Sequence, residues 1–137
     1  MTTHAIKLGV LSREDYAKRS IAIAKGIYTP RRDEPKIWFD SLRSMAETLS
    51  NDNQTLLRLI VEKKPQSLAE LEQLSGRKKS NLSRTLKMLE RHGIVSVVKE
   101  DHRLIPTVLA TDFTLEFGLN FGGFGLADDR AADMPKA

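Results

Sequence analysis

The sequence predicts an α+β chain, and three observations carry that expectation. Apolar residues recur at helical spacing in several separate segments. Two stretches near the ends, Ala5–Val10 and Asp112–Leu119, alternate with period two. Between them, Ser67–Arg103 strings together a capped helix, a glycine turn, a basic helix and a hairpin. At 137 residues, with 40% hydrophobic and 29% charged residues, the chain has the length and composition of one domain with a real core rather than of a disordered segment.

Taken in order, Ile6, Leu8 and Val10 share one side of the first strand. Ser12, with Asp15 three residues on, caps a helix over Arg13–Lys25 that Gly26 stops; Ala17, Ile21 and Ala24 fall on one face. Thr29–Pro35 (TPRRDEP) reads as a solvated loop, and Lys36–Phe39 as a short strand or a core anchor around Trp38. Asp40 or Ser41 caps a helix over Leu42–Leu49, with Leu42, Met45, Ala46 and Leu49 on its apolar face. Asn51–Asn53 offers the next N-cap, and Gln54–Lys64, crowded with Leu56, Leu57, Leu59, Ile60 and Val61, reads as the central core helix ended by Pro65.

Ser67 and Glu70 form a capping box, so a helix begins at Leu68 and carries Leu68, Leu71 and Leu74 to the turn at Gly76. In the next helix Leu82, Leu86 and Leu89 define the buried side, which turns Lys79, Ser80, Ser83, Arg84 and Lys87 the other way. Ile94–Val98 and Arg103–Leu109 read as a hairpin about an ordinary turn at Lys99–Asp101, with Pro106 confining the second strand to an edge or bulge. Asp112–Leu119 follows as a strand with Phe113, Leu115, Phe117 and Leu119 inward, and the Gly-rich, acidic stretch 120–137 is expected to be a flexible tail.

Charge is concentrated rather than spread. Arg77–Arg103 holds eight basic and three acidic residues, a local +5 in a chain whose total is +4. A basic patch on an otherwise balanced protein is the footprint of a nucleic-acid binder. A helix with leucines on one side and Ser, Asn, Arg and Lys on the other has what reading the major groove of double-stranded DNA requires. The N-terminal part of such a helix enters the groove, so Lys79, Ser80, Asn81 and Arg84 are the base-edge candidates. Arg77, Lys78, Ser83 and Lys87 are phosphate candidates, and Lys99, His102 and Arg103 would act from the hairpin tip, where Glu100 and Asp101 oppose them.

Leu71, Gly76, Leu82, Leu86, Leu89, Gly93 and Ile94, in LAELEQLSGRKKSNLSRTLKMLERHGIV, resemble the winged helix-turn-helix of MarR-type and ArsR-type bacterial regulators. The chain also resembles a narrower group of prokaryotic DNA-binding proteins in which an N-terminal strand and helix precede a Pro-to-Phe segment, here PKIWF with Pro35 and Phe39. That group includes transcriptional regulators and antitoxins of toxin–antitoxin pairs. The resemblance implies a winged helix-turn-helix with an added N-terminal strand and helix and a C-terminal strand. It departs at Glu72, four residues before the turn glycine, where such motifs place a small residue.

The resulting organisation is an N-terminal extension over 1–50 serving dimerisation, a DNA-binding domain over 51–110, a strand over 111–119 and the tail over 120–137. One such helix touches few base pairs, so a homodimer is expected. The strands Ala5–Val10 and Asp112–Leu119 would build it by pairing within or between chains. The alternatives are an antitoxin that also binds a cognate toxin protein, for which the Phe/Gly segment Phe117–Leu126 is a natural contact, and a winged-helix adaptor that binds only protein. An RNA reader is disfavoured because Arg77–Arg103 holds no aromatic residue to stack on bases. An enzyme has little support. There is no cysteine, His4, His92 and His102 lack metal-ligand spacing, and the glycines at 118, 122, 123 and 125 lack the Lys-Ser/Thr of a phosphate loop. Neither a cofactor nor a metal is expected. Without a signal-like start or an apolar run of membrane-spanning length, the expected location is the cytoplasm, with no membrane contact.

Overall fold

Serine hydroxyls start three of the helices. Each accepts the backbone N–H three residues on, Ser12 from Asp15 at 3.1 Å, Ser50 from Asn53 at 3.2 Å and Ser67 from Glu70 at 3.0 Å, which satisfies a donor that a helix start leaves open. The computed structural model of the chain describes residues 4–119, so the expected tail at 120–137 lies outside the described residues. The fold is α+β. In chain order the described elements are β1 (Ala5–Val10), α1 (Arg13–Ala24), β2 (Ile37–Phe39), α2 (Leu42–Thr48), α3 (Asn51–Lys63), α4 (Leu68–Ser75), α5 (Lys79–Arg91), β3 (Val95–Glu100), β4 (Arg103–Val108) and β5 (Asp112–Glu116). The strands form a three-stranded sheet in the order β2-β1-β5 and a two-stranded sheet of β3 and β4. Among the described residues no helix is long and apolar enough to cross a membrane.

The chain divides into two compact units whose boundaries fall within β1, at the first residue of α2 and within β5. The larger holds the residues up to Ile6 and Arg43–Phe113. Its core is built by Leu56, Leu57 and Ile60 of α3, Leu68 and Leu71 of α4, Leu82, Leu86 and Leu89 of α5, and Ile94 and Val95 at the hairpin base, all buried. Ser50, not Asn51–Asn53, caps α3, and those three residues form its first turn; Asn53 is then free to face inward. The return arm of the box at α4 also differs from expectation, since the Glu70 carboxylate accepts from the N–H of Gln66, one residue before the cap.

The hairpin runs longer than its sequence suggests. Lys99 and Glu100 continue β3, and the reversal is made by Asp101 and His102 alone, both at positive φ (49° and 64°). Glu100 pairs with Arg103 across this two-residue turn. Two successive left-handed residues match the right-handed twist of the strands, and Asp and His are among the non-glycine residues that tolerate that region best. Pro106 is buried opposite Val97, on an edge strand as expected.

The smaller unit holds Lys7–Leu42 and the described residues from Thr114 on. Here β1 runs parallel to β2, with Leu8, Gly9 and Val10 beside Ile37, Trp38 and Phe39. Gly9 has no substitute: a Cβ there would lie 2.5 Å from the Trp38 ring and 2.8 Å from Pro35. The face of α1 that turns inward carries Arg19 and Ala22, whereas Ala17, Ile21 and Ala24, grouped by apolarity, are exposed. The reason is a buried charge. Arg19 reaches the Glu34 carboxylate at 3.2 Å and stacks 5.0 Å from the Trp38 ring. Glu34 also accepts the N–H of Arg31 at 2.6 Å, so part of the expected solvated loop is core. Removing one partner of such a pair leaves an unpaired buried charge, which costs about 3–5 kcal/mol.

The strand expected over Asp112–Leu119 ends at Glu116, and Leu115, Phe117 and Leu119 are exposed rather than inward, Leu119 by 85%. Period two puts these residues on one face but does not decide whether anything covers it.

Tyr28 belongs to the Arg19–Glu34 cluster. Burial first, and then its hydrogen bond to the Glu34 carboxylate and the charge there, push its hydroxyl up to about 12. The raised value means that the neutral phenol is favoured by folding. Its contribution is present below pH 10, the ordinary tyrosine value, and is lost as pH climbs toward 12. Urea midpoints of wild type and Tyr28→Phe should therefore diverge least near pH 12, the variant losing less stability than wild type between pH 10 and 12.

Candidate functional site

The basic stretch becomes a site because a single arginine ties the helices around it. Arg77 lies in the turn between α4 and α5, where Gly76 at φ 72° reverses the chain and Ser75 Oγ accepts the Arg77 N–H at 3.1 Å. Its guanidinium fork donates three ways: Nε to Asn81 Oδ1 at 2.7 Å, Nη1 to Asn53 Oδ1 at 3.1 Å, and Nη2 to Thr85 Oγ1 at 2.7 Å. Asn53, itself buried, donates its Nδ2 to the carbonyls of Thr48 at 3.0 Å and Glu47 at 3.4 Å. One connected network thus holds the end of α2, the first turn of α3, the α4–α5 turn and the first two turns of α5.

Glu72 solves a second problem. Lys78, the N-cap of α5, makes no side-chain cap bond. Instead a carboxylate oxygen of Glu72, on α4, accepts the N–H of Lys79 at 3.1 Å. An anion suits the positive end of a helix, so the residue that departs from the small-residue pattern acts as a cap supplied by the neighbouring helix.

The two sides of α5 differ as expected. Leu82, Leu86 and Leu89 are at most 2% exposed, while Lys78, Lys79, Ser80, Arg84 and Lys87 are exposed and Asn81 and Ser83 half-buried. Among the described residues, none of the four cations Lys78, Lys79, Arg84 and Lys87 is in a salt bridge. Beside this face runs an open groove of about 850 Å³, lined by Thr55 of α3, Leu74 and Ser75 of α4, and Lys78, Ser80 and Arg84 among others. Leu74, expected in the apolar stripe of α4, borders this groove and is 40% exposed. At the hairpin tip Lys99, His102 and Arg103 are exposed beside the equally exposed Glu100 and Asp101. Glu90 binds the hairpin base to α5 by accepting the N–H of Val97 at 3.1 Å.

The structure therefore groups Lys78, Ser80, Asn81 and Arg84 around one groove edge, leaves Lys79 exposed outside the groove lining, and places Lys87 two turns along the same helix. Arg77 stands apart from the other phosphate candidates, since three of its donors are spent inside the protein. The residues sequence reasoning missed are Asn53, Glu72 and Thr85. Asn53 and Thr85 left a signal: each is a polar residue at helical spacing within an apolar stripe, Asn53 with Leu56, Leu57 and Ile60, and Thr85 with Leu82 and Leu89. Glu72 left none, because its partner is a backbone amide.

In comparison with known families, residues 48–115, just under half the chain, match the model of a family described as HVO_A0114. The match begins at Thr48, whose carbonyl closes the Asn53 network, and spans α3 through most of β5. No curated protein and no solved structure matches the chain.

Arg77→Ala should leave the buried oxygens of Asn53 and Thr85 without donors, which corresponds to a loss of about 2–4 kcal/mol in urea unfolding. Arg77→Lys should recover less than half of that loss, because an ammonium lacks the planar fork.

Proposed function

We propose that this chain is a sequence-specific transcriptional regulator that binds double-stranded DNA as a homodimer in the cytoplasm. In this reading α3, α4, α5 and the β3–β4 hairpin act as a winged helix-turn-helix, and α5 lies in the major groove. The observation that carries it is the two-sidedness of α5: a leucine side buried to within 2% and an opposite side of exposed Lys79, Ser80, Arg84 and Lys87 whose cations have no acidic partner among the described residues. Lys79, Ser80, Asn81 and Arg84 lie in the first two turns, the part of a reading helix that approaches base edges. Lys78, Ser83 and Lys87 suit phosphates. Arg77 contributes differently from its expected role. Its partners Asn53, Asn81 and Thr85 are all neutral, so its charge remains to attract a polyanion while its fork braces the helix. The hairpin tip is a lesser contact, because Glu100 and Asp101 would face the same phosphates.

Binding to duplexes from the protein's own promoter region tests this reading. Wild type should bind with an affinity that falls steeply with salt. Arg84→Ala should lose sequence preference, by about 1–3 kcal/mol for a bidentate base contact. Lys78→Ala should weaken all duplexes alike and flatten the salt slope by about one. Salt-independent binding, or none, overturns the proposal.

The dimer needs a surface other than the β1–β5 pairing, which is made within the chain. We assign it to β5, an outer strand of its sheet, where Leu115 is exposed, and to the residues just after it, where Leu119 is exposed. The same exposed residues support a second reading, an antitoxin that offers this edge to a toxin protein while α5 binds its operator. Light scattering decides between them: a dimer at micromolar concentration that Leu115→Lys converts to monomer supports self-association, and a monomeric wild type removes the dimer.

A further inference from the structure

Arg77 does more to Asn81 than pack against it. Every polar hydrogen of a guanidinium is a donor, so the Asn81 atom 2.7 Å from Arg77 Nε must be the carboxamide oxygen, and the flipped amide is excluded by chemistry. The orientation is enforced from further back. Arg77 is itself held by Asn53 Oδ1 and Thr85 Oγ1, and the Asn53 amide is fixed in turn by the Thr48 carbonyl. Asn81 is half-buried and lines the groove together with Ser80 and Arg84. With its oxygen turned to Arg77, the part it offers outward is the Nδ2 amino group.

That has a consequence for what Asn81 can read. An asparagine recognises adenine with both atoms, the oxygen accepting from N6 and the nitrogen donating to N7. Here one of the two lone pairs of that oxygen is engaged, and the positive guanidinium beside it disfavours the approach of an amino donor to the other. Guanine presents O6 and N7, two acceptors and no donor, on its major-groove edge. We infer that Arg77 and Asn81 form a donor-only reading pair, in which Arg77 sets the Asn81 amide so that it favours guanine over adenine at one base pair of the site. This rests on the DNA-reading proposal above and names a specificity that proposal leaves open.

Selection from a random duplex library with the full chain tests it. Asn81→Asp is the informative variant, because it keeps an oxygen for Arg77 and replaces the outward donor with an acceptor. Asn81→Ala, which removes both, is its companion, and thermal midpoints report that each is folded. Wild type should enrich a motif in which one position holds a G·C pair. Both variants should lose preference at that position alone, by about tenfold, with the rest of the motif intact. If the position altered by Asn81→Asp holds A·T in the wild-type motif, or if neither variant changes the motif, the donor-only pair is overturned while DNA reading stands. If wild type enriches no motif, the DNA-reading proposal fails and this inference falls with it.

Discussion

The guanidinium of Arg77 sits where the chain most needs polar closure. Packing α3, α4 and α5 about a leucine core brings helix ends together, and helix ends carry backbone groups with no partner of their own. The end of α2 is closed by Asn53 through the carbonyls of Glu47 and Thr48, Asn53 is closed by Arg77, and Arg77 is closed by Asn81 and Thr85. Each bond is modest alone, but partners in a connected buried network stand or fall together. Among the described residues no buried side-chain nitrogen or oxygen is left without a partner. The start of α5 is thus held from two directions, by the Arg77 fork on one side and by the Glu72 carboxylate on its first amide.

This arrangement separates holding from contacting. Residues that hold α5 — Asn53, Glu72, Arg77 and Thr85 — are half-buried or buried, and those that face outward are Lys78, Lys79, Ser80, Arg84 and Lys87. A contacting side chain is useful only when the backbone beneath it does not shift on binding, since any ordering then required is subtracted from affinity. The Glu72 carboxylate adds a restraint of another kind. It occupies the amide of Lys79, one of the helix-start donors that an anion could otherwise use.

Much of the fold was legible because its punctuation is local. Ser12 and Ser67 announce helix starts, Gly26, Gly76 and Pro65 announce ends, and the Leu82, Leu86, Leu89 spacing orients α5 without reference to anything else. What escaped depends on partners distant in sequence. The inward face of α1 is set not by Ala17, Ile21 and Ala24 but by Arg19, which Glu34, fifteen residues on, and the Trp38 ring hold inward. The Asp101–His102 reversal escaped because neither residue is glycine, though both tolerate a left-handed backbone. Leu115 and Leu119 alternate as an inward face would, and only the three-dimensional sheet reveals that side as uncovered. At the site the outward residues of α5 were legible by elimination from the leucine stripe. The role of Arg77 was not, because composition counts its charge and says nothing of where its fork is spent.

Glu72 also bears on how such a segment can be transplanted. A helix whose first amide is capped from the preceding helix, and whose second turn is gripped by an arginine from the intervening turn, is not a cassette. Moving Lys79–Arg91 alone into another scaffold would strand Asn81 and Thr85 and uncap Lys79; the segment that keeps every partner begins at the carbonyls that accept from Asn53 and runs unbroken through α5. Outward side chains within that module can then be exchanged while Glu72, Asn53, Arg77 and Thr85 stay as its chassis.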